Sequence, residues 1–263
     1  MIPKIEVRNL SKSFSKNDVV ASRFVALNSV NFQVQDQEFV CVLGPSGCGK
    51  STMLNIIGGL EESYEGEVFI SGKSIRNADR DRYRVGYIFQ EPRLLPWLTL
   101  EENICFALEG EGIPKSDWKR ITQQCINVVR LTGFEKYYPY QLSGGMQQRT
   151  SIARSFAVDP DILLMDEPFS GLDEITARRL RRELLSIWRQ MRKTVIFVTH
   201  NSLEATYLAD RILLMTRSPG VIYQEITVNL PRPRSYDSSS LFELNQTIVK
   251  DFLKHIGEED EEL

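Results

Sequence analysis

Apolar and polar positions alternate along two short stretches near the start of the chain, KIEVRNL (4–10) and VNFQVQ (30–35). A period of two predicts strands with one face buried. Four later stretches differ: EFVCVLG (38–44), DILLMDE (161–167), TVIFVTH (194–200) and DRILLMT (210–216) are nearly continuous apolar runs. Such runs predict strands covered on both faces. Between the second and third of them the period becomes helical, and EITARRLRRELLSIWRQMR (174–192) sets Leu180, Leu184, Ile187 and Met191 on one stripe. Buried strands alternating with helices predict an α/β fold on a mostly parallel sheet. The stretch from about 92 to 158 breaks that alternation. It reads as a helical insert, with SDWKRITQQCINVVRLTGF starting at a Ser116/Asp117 cap.

After Leu230 the pattern changes again. PRPRSYDSSS (231–240) reads as a polar linker, and LFELNQTIVKDFLKHI (241–256) puts Leu241, Leu244, Ile248, Phe252 and Ile256 at helical spacing. Its polar face is not basic, so the expectation is a C-terminal helix packed on the body and not one lying on a membrane. The closing EEDEEL reads as a solvated acidic tail. The domain division expected is therefore 1–232, holding the insert at about 92–158, followed by 233–263 as linker, helix and tail.

Composition narrows the function classes. With 263 residues, 42% of them hydrophobic and 25% charged, the chain can bury one large core. A net charge of −3 offers no electrostatic case for a nucleic-acid partner. No apolar run reaches the length of a membrane span, and MIPKIEVRNL lacks the charged head and apolar core of a signal peptide. Cysteines stand at 41, 48, 105 and 125 without CxxC spacing, which reads as incidental thiols in a reducing compartment.

Two stretches are built to grip phosphate. Gly44-Pro45-Ser46-Gly47-Cys48-Gly49-Lys50-Ser51-Thr52 matches G-x-x-x-x-G-K-[ST] without a mismatch, and lies between a buried strand and a helix. Its glycines let backbone N–H groups turn inward around a β-phosphate. Lys50 brings a mobile charge to the β/γ oxygens, and Ser51 brings a hydroxyl to Mg²⁺. The dipole of the following helix adds about 0.3–2 kcal/mol for an anion. The second stretch is Ser143-Gly144-Gly145, ahead of another helix, where free N–H groups meet no side chain. At 162–168, ILLMDEP ends an apolar strand on Asp166, a carboxylate for Mg²⁺, and Glu167, which can polarise an attacking water.

With the phosphate loop, LSGGM (142–146) and LLMDEP (163–168) in this order, the chain resembles the ATP-binding subunits of ABC transporters. The resemblance spans about residues 4–234 and implies a P-loop NTPase core with an N-terminal antiparallel β part, a helical insert and a C-terminal helix. It also implies roles. Gln90 in YIFQ looks like the glutamine that meets Mg²⁺ and the attacking water, Asp173 in SGLD looks like the D-loop carboxylate, and His200 in FVTHN looks like the switch histidine at the γ-phosphate. Phe14 stands where the family stacks an aromatic on adenine, with Phe24 as the alternative. Asn201 replaces the usual Asp, and Ser170-Gly171 replaces the usual small residue and Ala. EPRLLPWLTLEENI (91–104), LADRILLMTRSPG (208–220) and VNLPRPR (228–234) look like the nitrate/sulfonate/taurine importer subgroup.

The family resemblance further implies a head-to-tail pair in which the Ser143–Gly145 turn of one copy closes on the ATP held by the other. Mg²⁺ and ATP are the implied cofactors. The implied partners are a second ATPase subunit, transmembrane permease subunits docked near Leu94, Leu95, Pro96 and Trp97, and indirectly an extracytoplasmic solute-binding protein. The implied location is the cytoplasmic face of the membrane, held peripherally. The alternatives are a soluble ATPase of the same superfamily, a P-loop kinase, and a regulatory subunit that binds ATP without hydrolysing it. A kinase would leave the signature turn and His200 without purpose, and none of the catalytic positions is degraded. The transported solute is not legible in the sequence.

Overall fold

The computed structural model describes residues 2–15, 23–76 and 83–256. Along the chain run β1 (Ile5–Ser15), β2 (Arg23–Val34), β3 (Phe39–Leu43), α1 (Lys50–Ile57), β4 (Glu65–Ile70), β5 (Lys73–Ser74) and β6 (Val85–Ile88). Then come α2 (Leu100–Gly110), α3 (Lys115–Val128), a 3₁₀ turn (Pro139–Gln141), α4 (Gly144–Ala157), β7 (Ile162–Asp166) and α5 (Glu174–Met191). The chain closes with β8 (Thr194–Thr199), α6 (Ser202–Leu208), β9 (Arg211–Met215), β10 (Ile222–Thr227) and α7 (Ser239–Ile256). These elements form two compact units, Met1–Asp79 with Thr194–Leu263, and Arg80–Lys193.

The first unit holds an antiparallel sheet in the order β2-β1-β4-β5 and a group of strands in the order β10-β9-β3-β8. β3 runs parallel to both β8 and β9. Every residue of β3 and of β8 is buried, as the unbroken apolar runs require. β1 continues past the alternating stretch because its ladder with β2 shifts register between Val7 and Leu10. Asn9 there takes φ +49, and a bulge reverses which side chains face inward, ending the simple period of two. α7 packs with α6 and buries Leu241 and Ile248, as the helical spacing predicts, while Leu244 and Phe252 are half-buried.

The stretch 231–240 is pinned more firmly than a polar linker. Arg234 is buried, and its guanidinium donates to the carbonyls of Thr206, Tyr207 and Ala209 at the end of α6. Tyr236 stacks on Tyr207 with ring centroids 4.2 Å apart. The closing EEDEEL, and the whole stretch between β1 and β2, lie outside the described residues.

In the second unit β6 and β7 pair in parallel, and α2, α3 and α4 pack on one another. α2 opens on a capping box, in which the Thr99 hydroxyl accepts from Glu102 N and the Glu102 carboxylate accepts from Thr99 N. α3 starts at Lys115 with Pro114 as its cap, earlier than the Ser116/Asp117 cap expected from sequence. The Pro114 carbonyl already accepts from Asp117 N, so that residue sits inside the first turn and turns its carboxylate to Arg120. On α5 the stripe of Leu180, Leu184 and Ile187 is buried, and Met191 is half-buried at its end.

Candidate nucleotide site

β3 and β8 end level, with Leu43 paired to Thr199. Two predicted site segments therefore leave the first unit's strands side by side. Gly44 N donates to Thr199 O at 3.3 Å, and His200 follows Thr199 with its side chain exposed. The Thr199 hydroxyl donates to the buried carboxylate of Glu204 at 2.6 Å and accepts from Asn201 N. Asn201, where the family usually has Asp, caps α6 by accepting from Leu203 N and Glu204 N. The backbone on both sides of His200 is thus held.

The phosphate loop turns on a bond from Cys48 N to Pro45 O and enters α1 through Gly49 at φ +100. A β-carbon at Gly49 would lie 2.7 Å from Ala26 O and from Leu27 Cδ2. Only glycine allows both the left-handed turn and this seating against β2. Gly49 at the start of α1 makes no side-chain cap bond, and a helix N-terminus of this kind suits an anion. Lys50 is buried, and its Nζ donates to Gly44 O at 2.8 Å and Pro45 O at 2.9 Å, which brings the ammonium across the loop. Ser51 is exposed on the first turn of α1 and Thr52 is half-buried. Phe14 and Phe24 face each other across β1 and β2, and the ammonium of Lys12 lies 4.8 Å from the Phe14 ring centre.

In the second unit the level pairing of Ile88 with Met165 brings out Gln90 and Glu167 at the same end of β6 and β7. Gln90 Nε2 donates to the Ser170 hydroxyl at 3.2 Å, and Ser170 N donates to Glu167 O at 3.0 Å. Asp166, the last residue of β7, is buried. Burial, and then the Asp166 charge, push the Tyr87 hydroxyl well above its usual range. Glu167 holds φ +41, a left-handed conformation that costs a side-chain-bearing residue on the order of 1–3 kcal/mol.

The signature turn forms a separate cavity. Ser143 caps α4 by accepting from Met146 N, and Asp173 caps α5 by accepting from Thr176 N at 3.0 Å. The backbone and hydroxyl of Thr176 hold the Asp173 carboxyl below its usual range. Ser143, Gly144, Gly145 and Asp173 line one space of about 440 Å³ together with Arg149 and Arg179. Gln90, Asp166 and Glu167 do not line it. Lys12, Ser170 and the arginines Arg149 and Arg179 were not legible as site neighbours in the sequence, since their places follow from strand register and helix packing.

Known proteins resemble this chain along most of its length. The family model described as ABC transporter matches residues 27–170. An uncharacterized ABC transporter ATP-binding protein of Methanocaldococcus jannaschii, MJ0412, is 47% identical over 94% of this chain and 90% of its own. The aliphatic sulfonates import ATP-binding protein SsuB of Bacillus cereus is 44% identical over 94% of this chain and 95% of its own. Among solved structures, the dimeric ATP-binding cassette MJ0796 in a post-hydrolysis state with ADP and Pi matches with a TM-score of 0.75. It is 33% identical, over 86% of this chain and 100% of that one. No helix among the described residues is long and apolar enough to cross a membrane. With its phosphate loop beside the strand-end histidine and its capped signature turn, the chain belongs to the ABC transporter family as an ATP-binding, ATP-hydrolysing subunit.

Proposed function

We propose that this ATPase drives uptake of a small solute of the sulfonate, taurine or nitrate kind through separate permease subunits, at the cytoplasmic face of the membrane. The observation that carries the reading is the shared edge at Leu43 and Thr199, from which the phosphate loop and His200 emerge together. A transferase would have no use for that histidine or for the signature turn. The 44% identity to an aliphatic sulfonates import protein supports the solute class.

Backbone N–H groups of the phosphate loop, together with Lys50, bind the phosphates and stabilise charge developing on the bridging oxygen. Glu167 takes the proton of the attacking water, and His200 holds the γ-phosphate so that the water stays in line. Phe14 stacks on the adenine. Ser51, Gln90 and Asp166 offer oxygen donors alone, the chemistry that Mg²⁺ selects, and Ser51 presents its hydroxyl at the exposed start of α1. Mg²⁺, when bound, neutralises β/γ oxygens.

Each cavity at Ser143 and Asp173 serves the nucleotide of a second copy, as the dimeric state of the MJ0796 cassette encourages. A two-fold pair makes the exchange reciprocal, and the closed pair excludes water. Residues 1–232 act as the ATP-binding domain, with 92–158 as its insert, and 233–263 as an appended segment. A solute-binding protein outside the membrane completes the system through the permease.

The test is purification of the chain with its membrane partner, followed by ATPase assays with aliphatic sulfonates, taurine and nitrate. Free phosphate whose release rises with one of these solutes supports the proposal. Steady hydrolysis with no membrane partner and no solute response favours the soluble ATPase. A phosphorylated small molecule in place of free phosphate removes hydrolysis as the reaction.

A further inference from the structure

An aromatic ledge stands just ahead of the signature turn. Tyr140 is 77% exposed, and its ring lies over that of Tyr138 with centroids 5.8 Å apart and planes 9° apart. Tyr138 thus backs one face of the Tyr140 ring and leaves the other to solvent.

The ledge is rigid. Within the 3₁₀ turn Gln141 N donates to Tyr138 O at 2.9 Å and Leu142 N to Pro139 O at 3.0 Å. The Gln141 side chain accepts from Tyr138 N at 2.8 Å. From α4, Gln147 Nε2 donates to both Pro139 O and Leu142 O, at 2.9 and 3.1 Å. Pro139 itself is buried. The helix that presents Ser143, Gly144 and Gly145 at its N-terminus therefore also holds the backbone beneath Tyr140, and the two move as one block. A ring on a backbone held this firmly has less freedom left for binding to remove.

We propose that Tyr140, backed by Tyr138, is a stacking ledge for the purine base of the nucleotide held by a second copy of this chain. The inference rests on the two-copy reading above. A nucleoside triphosphate has an anionic end and a flat heteroaromatic end. The block offers an N–H-rich turn at Ser143 for the first and an aromatic face at Tyr140 for the second, three residues apart. A tyrosine has no charge to spend on phosphate, and its open face suits a base, which stacks on aromatic side chains. The parallel tyrosines, with a hydroxyl on each ring, favour a polar ring over an aliphatic segment of a permease.

The experiment uses the full chain, with Tyr140→Ala and Tyr140→Phe, in steady-state ATP hydrolysis without permease. Melting curves accompany the assay, as does equilibrium binding of ATP by protein dilute enough to be monomeric. Stacking predicts that Tyr140→Ala raises KM for ATP about tenfold. It leaves kcat within about twofold and monomer ATP affinity unchanged, and Tyr140→Phe restores the KM. An unchanged KM overturns the ledge, including the case in which only stimulation by permease is lost. So does an equal loss of monomer affinity, which would put the effect within one copy. Ser143→Arg separates the two ideas. If that protein hydrolyses ATP normally, the two-copy reading falls and the ledge with it. If it is inactive while Tyr140→Ala keeps its KM, the ledge alone falls.

Discussion

Phe14 of β1 lies directly opposite Phe24 of β2, and the two rings are 40% and 48% exposed. Two residues further along β2, Ala26 offers the carbonyl against which Gly49 closes. The phosphate loop is thereby seated on the strand that carries Phe24. The Lys12 ammonium covers part of Phe14 and is itself held by Ser63 O and Glu61. The sequence offers these phenylalanines as alternatives for the adenine contact, whereas the register makes them neighbours. Phe14→Ala is expected to weaken ATP binding by fivefold or more, the low end of about 1–3 kcal/mol per stacked base. Phe24→Ala should weaken it less, and the double variant most. Equilibrium titration with ATP checks this, with inorganic triphosphate, which has no base, as the ligand that both variants should bind like the native chain.

Glu167 follows the buried Asp166 in a left-handed backbone conformation, and its carbonyl accepts from Ser170, whose hydroxyl accepts from Gln90. Its carbonyl is held by Ser170 N, so a neutral isostere should keep the geometry and lose only the proton acceptor. Glu167→Gln is expected to bind ATP and pair with a second copy, and to lose about 10²–10⁴ in hydrolysis rate. Single-turnover phosphate release and ATP-dependent size-exclusion profiles measure the two halves of that expectation. Wild-type turnover would remove Glu167 as the base.

What could be read from the sequence divides along physical lines. β3, β7, β8 and β9 were legible because strands covered on both faces need unbroken apolar runs, and the helix at 174–192 because one stripe faces the core. The ends of elements were less so. Pro114 starts α3 through its carbonyl, while Ser116 and Asp117 only imitate a cap. Arg234 sits in a proline-bearing polar stretch that looks solvated, and its burial depends on carbonyls brought from α6 by the fold. The motifs around Lys50, Asp166 and Ser143 were legible because each needs a particular residue at a particular strand end or helix start. The neighbours they acquire, such as Ser170 beside Gln90, depend on strand register and packing.

Trp97 is 69% exposed, beside the exposed Pro96, and Leu95 is half-buried. Their loop is held by the buried Asn103, which accepts from Leu95 N at 2.8 Å and donates to Leu95 O and Leu98 O. The support of the loop therefore does not pass through the indole. Trp97→Ala should change folding stability by no more than about 0.5 kcal/mol and leave the ATPase of the isolated chain intact. Transport, and stimulation by a permease, should be lost, since exposed apolar groups on a fixed loop suit a docking surface. A lowered melting temperature would instead show that Trp97 packs the insert. Asn103→Ala makes the contrast, because it removes the buried side chain whose hydrogen bonds hold the loop and should destabilise the chain.

Arg234 also donates to Leu230 O and Val228 O, so one guanidinium serves five backbone carbonyls, three of them at the C-terminal end of α6. A cation there meets the negative end of the helix as well as acceptors that have no helical partner. Replacing it with alanine leaves those carbonyls buried without the charge-assisted bonds, each worth about 1.5–3 kcal/mol at best and not additive. A loss of about 3 kcal/mol is expected for Arg234→Ala, or a fall in melting temperature of about 6–12 °C at this chain length. Arg234→Lys should fall between the two, since an ammonium keeps the charge but cannot span acceptors set around a planar fork. The loss should be local as well as global. Tyr236 stacks on Tyr207 within the same segment, so releasing Arg234 frees the chain leading into α7. Limited proteolysis should cut between 231 and 240 sooner in Arg234→Ala than in the native chain. Equal cleavage rates with an unchanged melting temperature would show that Arg234 does not anchor the C-terminal helix.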